Sequence, residues 1–224
     1  DKQREIEEEE SLAGAGGGSE RAIARAKERF LEAPDVAENV NRYGTMLRRE
    51  GTAESLVEAE KVFMKGFKST NEYRFRMTAG DIRMQRFRAR IQALESDDSS
   101  DAADRLATLQ NQLLEFEESE YRERAERYPT DRAIRFHLGE VAFRRGDTDT
   151  AMGCFQKSKD EPRLRAASGH LLGRCFAAEG WHGEAVAEFE DVLAKIDATE
   201  ADRELEVRYD LMCSLIELAS SEQS

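Results

Sequence analysis

The sequence predicts an all-α chain of antiparallel helix hairpins that repeat and stack, with about ten helices in all. Three observations carry this prediction. Charged residues make up 36% and the hydrophobic set 39% of 224 residues, with only 3 Pro; a mix of Ala, Glu, Arg and Leu in these proportions suits surface-rich helices and favours no strand. Apolar residues fall at helical spacing wherever a run of them is bounded by turn residues. Above all, Leu138, Gly139, Gly146, Ala151 and Phe155 return as Leu172, Gly173, Gly180, Ala185 and Phe189, each pair 34 residues apart.

The residue types in that register have a physical reading. Leu-Gly in the middle of a first helix lets a second helix approach closely. Gly146 and Gly180 stand where a helix must end in a left-handed cap, and Ala151 and Ala185 keep neighbouring backbones close. Phe155 and Phe189 then fill the gap between hairpins. One hairpin cannot cover its own apolar face, so each must bury its neighbour's.

Taken in chain order, residues 1–18 carry an acidic run, Glu7 to Glu10, and then Gly14, Gly16, Gly17 and Gly18, which reads as a flexible linker. Ser19 and Glu20 read as a helix cap, and Ala22, Ala26, Phe30 and Leu31 continue a helix up to Pro34. Tyr43-Gly44 occupies the Leu-Gly slot of a further repeat, with Gly51 seven residues on. Ala59 and Phe63 come three residues late, so an expanded turn is expected at Thr52–Ser55. Ala79-Gly80 fits the slot again, but no Gly turn follows. The helical pattern runs on through Arg90 and Leu94, breaks at Ser96–Ser100 and resumes from Asp101 towards Tyr128, so a hairpin of two overlong helices is expected at about 72–128. After Pro129 come the two registered repeats, and then Leu211-Met212 as a looser match, 39 residues past the last Leu-Gly.

A 34-residue period with Leu-Gly, Gly, Ala and Phe at these offsets resembles the tetratricopeptide repeat (TPR) family, here a bacterial-type TPR-like helical repeat protein. The resemblance is specific at about 132–195 and looser over the rest of 20–219. It implies a right-handed α-solenoid occupying 19–224. It also implies a non-catalytic interaction module or scaffold, whose first helices line a concave groove for a segment of another protein. Carried over slot by slot, the groove candidates are Asn41, Thr45 and Arg48; Met77, Asp81 and Met84; Phe136, Glu140 and Phe143; His170 and Arg174; and Tyr209. Phe136 and Phe143 serve either as groove contacts or as cover for the next repeat, since aromatic residues at helix spacing are often core. Replacing Phe136 and Met84 together by Glu is expected to abolish partner capture without unfolding. Family members that clamp a C-terminal carboxylate use Lys and Asn in these slots. Here Glu140 would repel that group, so such a clamp is not expected.

Composition narrows the function classes. Lys and Arg total 34 against 47 Asp and Glu, a net charge of -13, which opposes non-specific attraction to phosphate backbones. No 18-residue apolar run is present, so no membrane span is expected. Cys154, Cys175 and Cys213 are too few and too scattered for a disulfide scaffold or a metal knuckle and are expected to be reduced and buried. His137, His170 and His182 lack metal-ligand spacing, and no nucleophile elbow, zinc-protease or phosphate-loop pattern occurs. No enzyme activity, cofactor or metal is expected, and a cytoplasmic setting is. Because the sequence opens on Asp1, we expect a piece of a longer or processed protein.

Two features leave alternatives open. Arg74, Arg76, Arg83, Arg86, Arg88 and Arg90 on the first long helix face Glu115, Glu117, Glu118, Glu120, Glu123 and Glu126 on the second. They serve either as an anionic docking surface or as flank pairs between the two helices. The extended charged hairpin also supports a reading as a self-assembling structural subunit. Trp181, beside Gly180, is either a cap over the hairpin junction or an exposed anchor.

Overall fold

The computed structural model describes residues 16–97, 99–197 and 199–221. Among them are ten helices: α1 (Gly16–Glu32), α2 (Ala37–Glu50), α3 (Ala53–Thr70), α4 (Tyr73–Glu95), α5 (Ala102–Arg127), α6 (Arg132–Arg144), α7 (Thr148–Ser158), α8 (Arg165–Ala178), α9 (His182–Leu193) and α10 (Ala201–Ser221). No described residue lies in a strand. The chain forms two compact units, residues 1–113 and 114–224, divided within α5.

In the first unit α1 packs on α2, α2 on α3 and α3 on α4. The core gathers Ala26 and Phe30 of α1, Val40, Tyr43 and Leu47 of α2, Leu56, Ala59, Val62 and Phe63 of α3, and Phe75, Ala79 and Ile82 of α4. In the second unit α6 to α10 pack in consecutive pairs, and the first helices α6 and α8, then α8 and α10, also touch.

A ring seated on a glycine joins three of the hairpins, α2–α3, α6–α7 and α8–α9. A Cβ built on Gly139 would lie 2.8 Å from Phe155, and one on Gly44 would lie 2.6 Å from Phe63. The Phe189 ring closes on Gly173 in the same way. The glycine is needed because a methyl group there would occupy the ring's place. All three phenylalanines are fully or almost fully buried, each contributing about 2–3 kcal/mol by burial alone.

The turns repeat as faithfully. Gly146 and Gly180 adopt φ of 78° and 76°, and behind each the chain reaches back across the helix end. The Asp147 N–H donates to Ala142 O at 2.9 Å, and the Trp181 N–H to Phe176 O at 2.8 Å. This is the bonding that closes a helix on a left-handed glycine. The next helix then starts at once: the Asp147 carboxylate accepts from the Thr150 N–H at 3.1 Å. The Thr150 hydroxyl first, and then that backbone bond, hold its pKa below the ordinary value.

Two expectations are corrected. Gly16–Gly18, assigned to the linker, form the first turn of α1, so the helix does not begin at Ser19; the earlier acidic stretch lies outside the described residues. The turn after Gly51 is not expanded: Thr52 caps α3, which starts at Ala53, with the same spacing as Gly146, Asp147 and Thr148. Instead α3 is longer, 18 residues against 11 in α7, and Phe63 reaches Gly44 from nearly one turn further along. A shift of three residues keeps a side chain on the same helix face, and Leu56 takes the place of the small residue.

The overlong pair is present as α4 and α5, of 23 and 26 residues, with the break between Glu95 and Ala102. Several of its charges have partners on neighbouring hairpins. Arg86 pairs with Glu60 of α3, Arg144 with Glu117 at 2.5 Å, and Arg145 with Glu118 at 3.0 Å.

Candidate protein-binding site

The first-helix positions divide into those turned inward and those open to solvent. In the first unit Asn41 and Arg48 are exposed, and Thr45, Met77 and Asp81 are half-buried. Met84 is 2% exposed. In the second unit Phe136 is 8% and His170 5% exposed, Glu140 and Phe143 are half-buried, and Arg174 and Tyr209 are exposed.

Met84, Phe136 and His170 are therefore corrected from groove residues to packing residues. The Phe136 ring lies 5.9 Å from that of Phe155, in a cluster with Leu172 and Cys175 of α8. It fills the space between successive hairpins instead of waiting for a ligand. His170 sits edge-on to Phe189, and its Nε2 lies 2.7 Å from an Asp210 carboxylate oxygen on α10. The expectation that Phe136 and Met84 can both become Glu without unfolding falls with this, because a carboxylate at either site would be buried among apolar groups.

The remaining residues of the second unit form one row across three first helices. The Arg174 guanidinium of α8 lies over the Phe143 ring of α6, 5.4 Å from its centre. Arg174 Nε is 3.8 Å from the same Asp210 oxygen that His170 meets. Glu140, one turn before Phe143, is 2.8 Å from His137 Nδ1. The row thus offers an aromatic face, a half-exposed cation held by an anion, and a second anion beside them. Asp210 is the member that slot-by-slot reasoning missed. It lies next to Tyr209, but nothing in its position showed that it would reach both His170 and Arg174.

Elsewhere the chemistry is sparse. No group of three or more His, Cys, Asp or Glu among the described residues could hold a metal. No helix among them is long and apolar enough to cross a membrane. A cavity of about 580 Å³ opens at the α4–α5 tip between Arg90, Leu94, Asp97, Asp101 and Arg105, where Arg105 stands 3.6 Å from Asp97 and 3.7 Å from Asp101. The Ser99 N–H donates to Asp97, and that bond lowers the pKa of its carboxyl. Arg105 thus stands between the two carboxylates. Cys154 and Cys175 are buried and Cys213 half-buried, all three free. Trp181 is 47% exposed, at the cap of α9 with its ring against Phe176, so it covers the junction on one side and meets solvent on the other.

No family model and no curated protein matches the chain. Among solved structures, the chain is similar to the crystal structure of MamA, at 18% identity and a TM-score of 0.48, covering 82% of this chain and 91% of that one. It is also similar to TTC0263, a thermophilic TPR protein of Thermus thermophilus, at 14% identity and a TM-score of 0.45, covering 95% and 100%. The P58(IPK) TPR domain matches at 15% identity and a TM-score of 0.38, covering 98% and 67%. The fold is a TPR-like helical repeat, as the glycine-seated rings and the repeated left-handed turns display within the chain itself.

Proposed function

We propose that the chain is a non-catalytic protein-binding module whose second unit receives a segment of a partner protein on the row formed by Glu140, Phe143, Arg174 and Asp210. The observation that supports this most is the Arg174 guanidinium stacked on Phe143 and half exposed, with Asp210 behind it. Stacking and ion pairing hold the arginine in one place, so a partner meets a cation that is already ordered. Pre-ordering lowers the cost of binding. Arg and aromatic side chains are also the types that dominate binding energetics. The partner this row suits carries an acidic or carbonyl-rich segment with an apolar side chain for Phe143. The net charge of -13 argues against nucleic acid as the partner. A cytoplasmic setting belongs to this reading, in which Cys154, Cys175 and Cys213 stay as free thiols.

The test is affinity capture from native extract with the wild-type chain beside Arg174→Glu and Phe143→Ala. Arg174 is exposed and Phe143 half-buried at the edge of the cluster with Phe136 and Leu172, so circular dichroism and a urea midpoint are read beside capture, and helicity is expected to be unchanged in both variants. The expected result is a protein retained by wild type and lost with either variant. Equal retention by all three removes this row from consideration.

A further inference from the structure

The 34-residue register lets two neighbouring joints of the second unit be compared position by position. At the later joint, between α7, α8 and α9, Lys159 at the end of α7 pairs with Glu188 of α9. It also stands 4.0 Å from Asp191, one turn further along. This pair lies over Gly169 of α8: a Cβ built there would come to 3.0 Å from Glu188 Oε1 and 3.9 Å from Lys159 Cε. The position therefore stays bare, and the cation has its carboxylate within the chain.

The earlier joint, between α5, α6 and α7, has the cation and lacks the carboxylate. In the places of Gly169, Glu188 and Asp191 stand Arg135, Cys154 and Lys157, each 34 residues before its counterpart. An arginine side chain thus enters from α6 where α8 has none, and both acids of the second helix are gone, one exchanged for a thiol and the other for an amine. Arg135 and Lys157 are near enough to the buried Cys154 for their charges to act on its thiol, and all three line a cavity of about 420 Å³. Gly153, also in its lining, leaves the wall open, since an added Cβ would meet nothing within 4 Å. Arg135 is half-buried. One terminal nitrogen reaches Pro129 O at 3.4 Å, and its buried Nε makes no hydrogen bond among the described residues. A guanidinium withdrawn from water without an acceptor is costly until an anion joins it. Arg122 of α5 lines the same cavity but is already held by Glu118 at 2.7 Å. Glu126 and Asp149 line it too, and neither pairs with Arg135 or Lys157 among the described residues.

We infer that this cavity is a binding site for one carboxylate group on a short aliphatic stem, held by Arg135 and Lys157. Two cations without an acid partner can share a single negative charge. The exposed Glu126 and Asp149 oppose a second charge, which favours a carboxylate over a phosphate dianion. Ala125, Leu138 and Cys154 give the stem an apolar wall. At the later joint Glu188 is such a group, supplied by the chain itself. A free short acid and the glutamate side chain of a protein partner share this chemistry. The site uses none of Glu140, Phe143, Arg174 and Asp210, so it stands or falls apart from the row proposed above.

The experiment follows the isotope-labelled 224-residue chain by NMR at constant ionic strength, reading the Gly153 amide and the Arg135 side-chain N–H. Butyrate probes the free acid and a blocked Gly-Glu-Gly peptide the side chain. Butyramide and the matching Gln peptide are the neutral controls, and inorganic phosphate is the dianion. Saturable shifts with butyrate, the Glu peptide or both are expected, the tighter probe naming the source. Arg135→Gln is expected to weaken this binding about tenfold or more with an undiminished urea midpoint, since it removes a cation that no carboxylate partners. Cys154→Glu is expected to fill the site from within, so that binding is lost and adding Arg135→Gln to it lowers the urea midpoint. Saturation by neither acid, equal shifts with the neutral controls, tighter binding of phosphate, or an Arg135→Gln variant that binds as well as wild type overturns the inference.

Discussion

At the level of single residues, the glycine-seated rings separate what can change from what cannot. Gly139→Ala puts a methyl group 2.8 Å from Phe155, and overpacking of this kind costs about 1–3 kcal/mol. Phe155→Ala is expected to cost more, about 3–5 kcal/mol, because the void is enclosed; urea unfolding of both variants measures the difference. These residues were legible in the sequence, because a ring and a glycine in one register need each other in any hairpin of this kind. For Phe136 the spacing left groove and packing both open, and the inward turn of Met84 and His170 was not legible. Spacing identifies a helix face, whereas coverage of that face depends on which neighbouring hairpin lies over it. Cys175 shows a further effect of burial, which pushes its thiol from an ordinary 9.0 up to about 12. An unfolded chain loses that proton first, so stability is expected to be full below about pH 9 and to fall as pH rises from there towards about 12. Alkylation of native protein at pH 8 is correspondingly expected to spare Cys175 and to reach the half-buried Cys213. Mass spectrometry of the labelled chain reads out both.

At the level of elements, the repeats are defined as much by how their helices end as by how they pack. Gly180→Ala forces a non-glycine residue to hold φ near 76°, at a cost of roughly 1–2 kcal/mol, with nothing within 4 Å of the added methyl to blame for it. Asp147→Ala removes the α7 cap and is expected to cost about 1 kcal/mol. Because the cap holds the Asp147 pKa down, wild type is expected to lose this advantage as pH falls through the folded pKa, and the variant to show less acid sensitivity there. The long pair α4 and α5 could be anticipated from the absence of a Gly turn and from the Ser/Asp break. The length of α3 could not. A late Ala and Phe are explained equally by a longer turn or by a shift along the helix, and only the cap at Thr52 distinguishes the two.

For the whole molecule, the main electrostatic fact is a net charge of -13. Most of its ion pairs are exposed and contribute well under ~1 kcal/mol each, so self-repulsion outweighs them and salt screens it. The urea midpoint is therefore expected to rise from low to moderate ionic strength, where a chain held by its surface pairs would show a fall. The all-helical class, the repeat period and the hairpin order were all available from pattern alone; the division into two units within α5 was not, because a continuous helix gives no sign of where contacts thin out. The rings seated on glycines bear, finally, on speed. Gly139 and Gly173 meet rings 16 residues ahead, and Gly44 one 19 ahead, so each of these three joints closes a short loop at little cost in chain entropy. Each hairpin can then form as its own nucleus while the rest of the chain is still emerging from synthesis. Refolding by stopped-flow fluorescence of Trp181 is expected to finish within milliseconds, the pace of chains whose contacts are local.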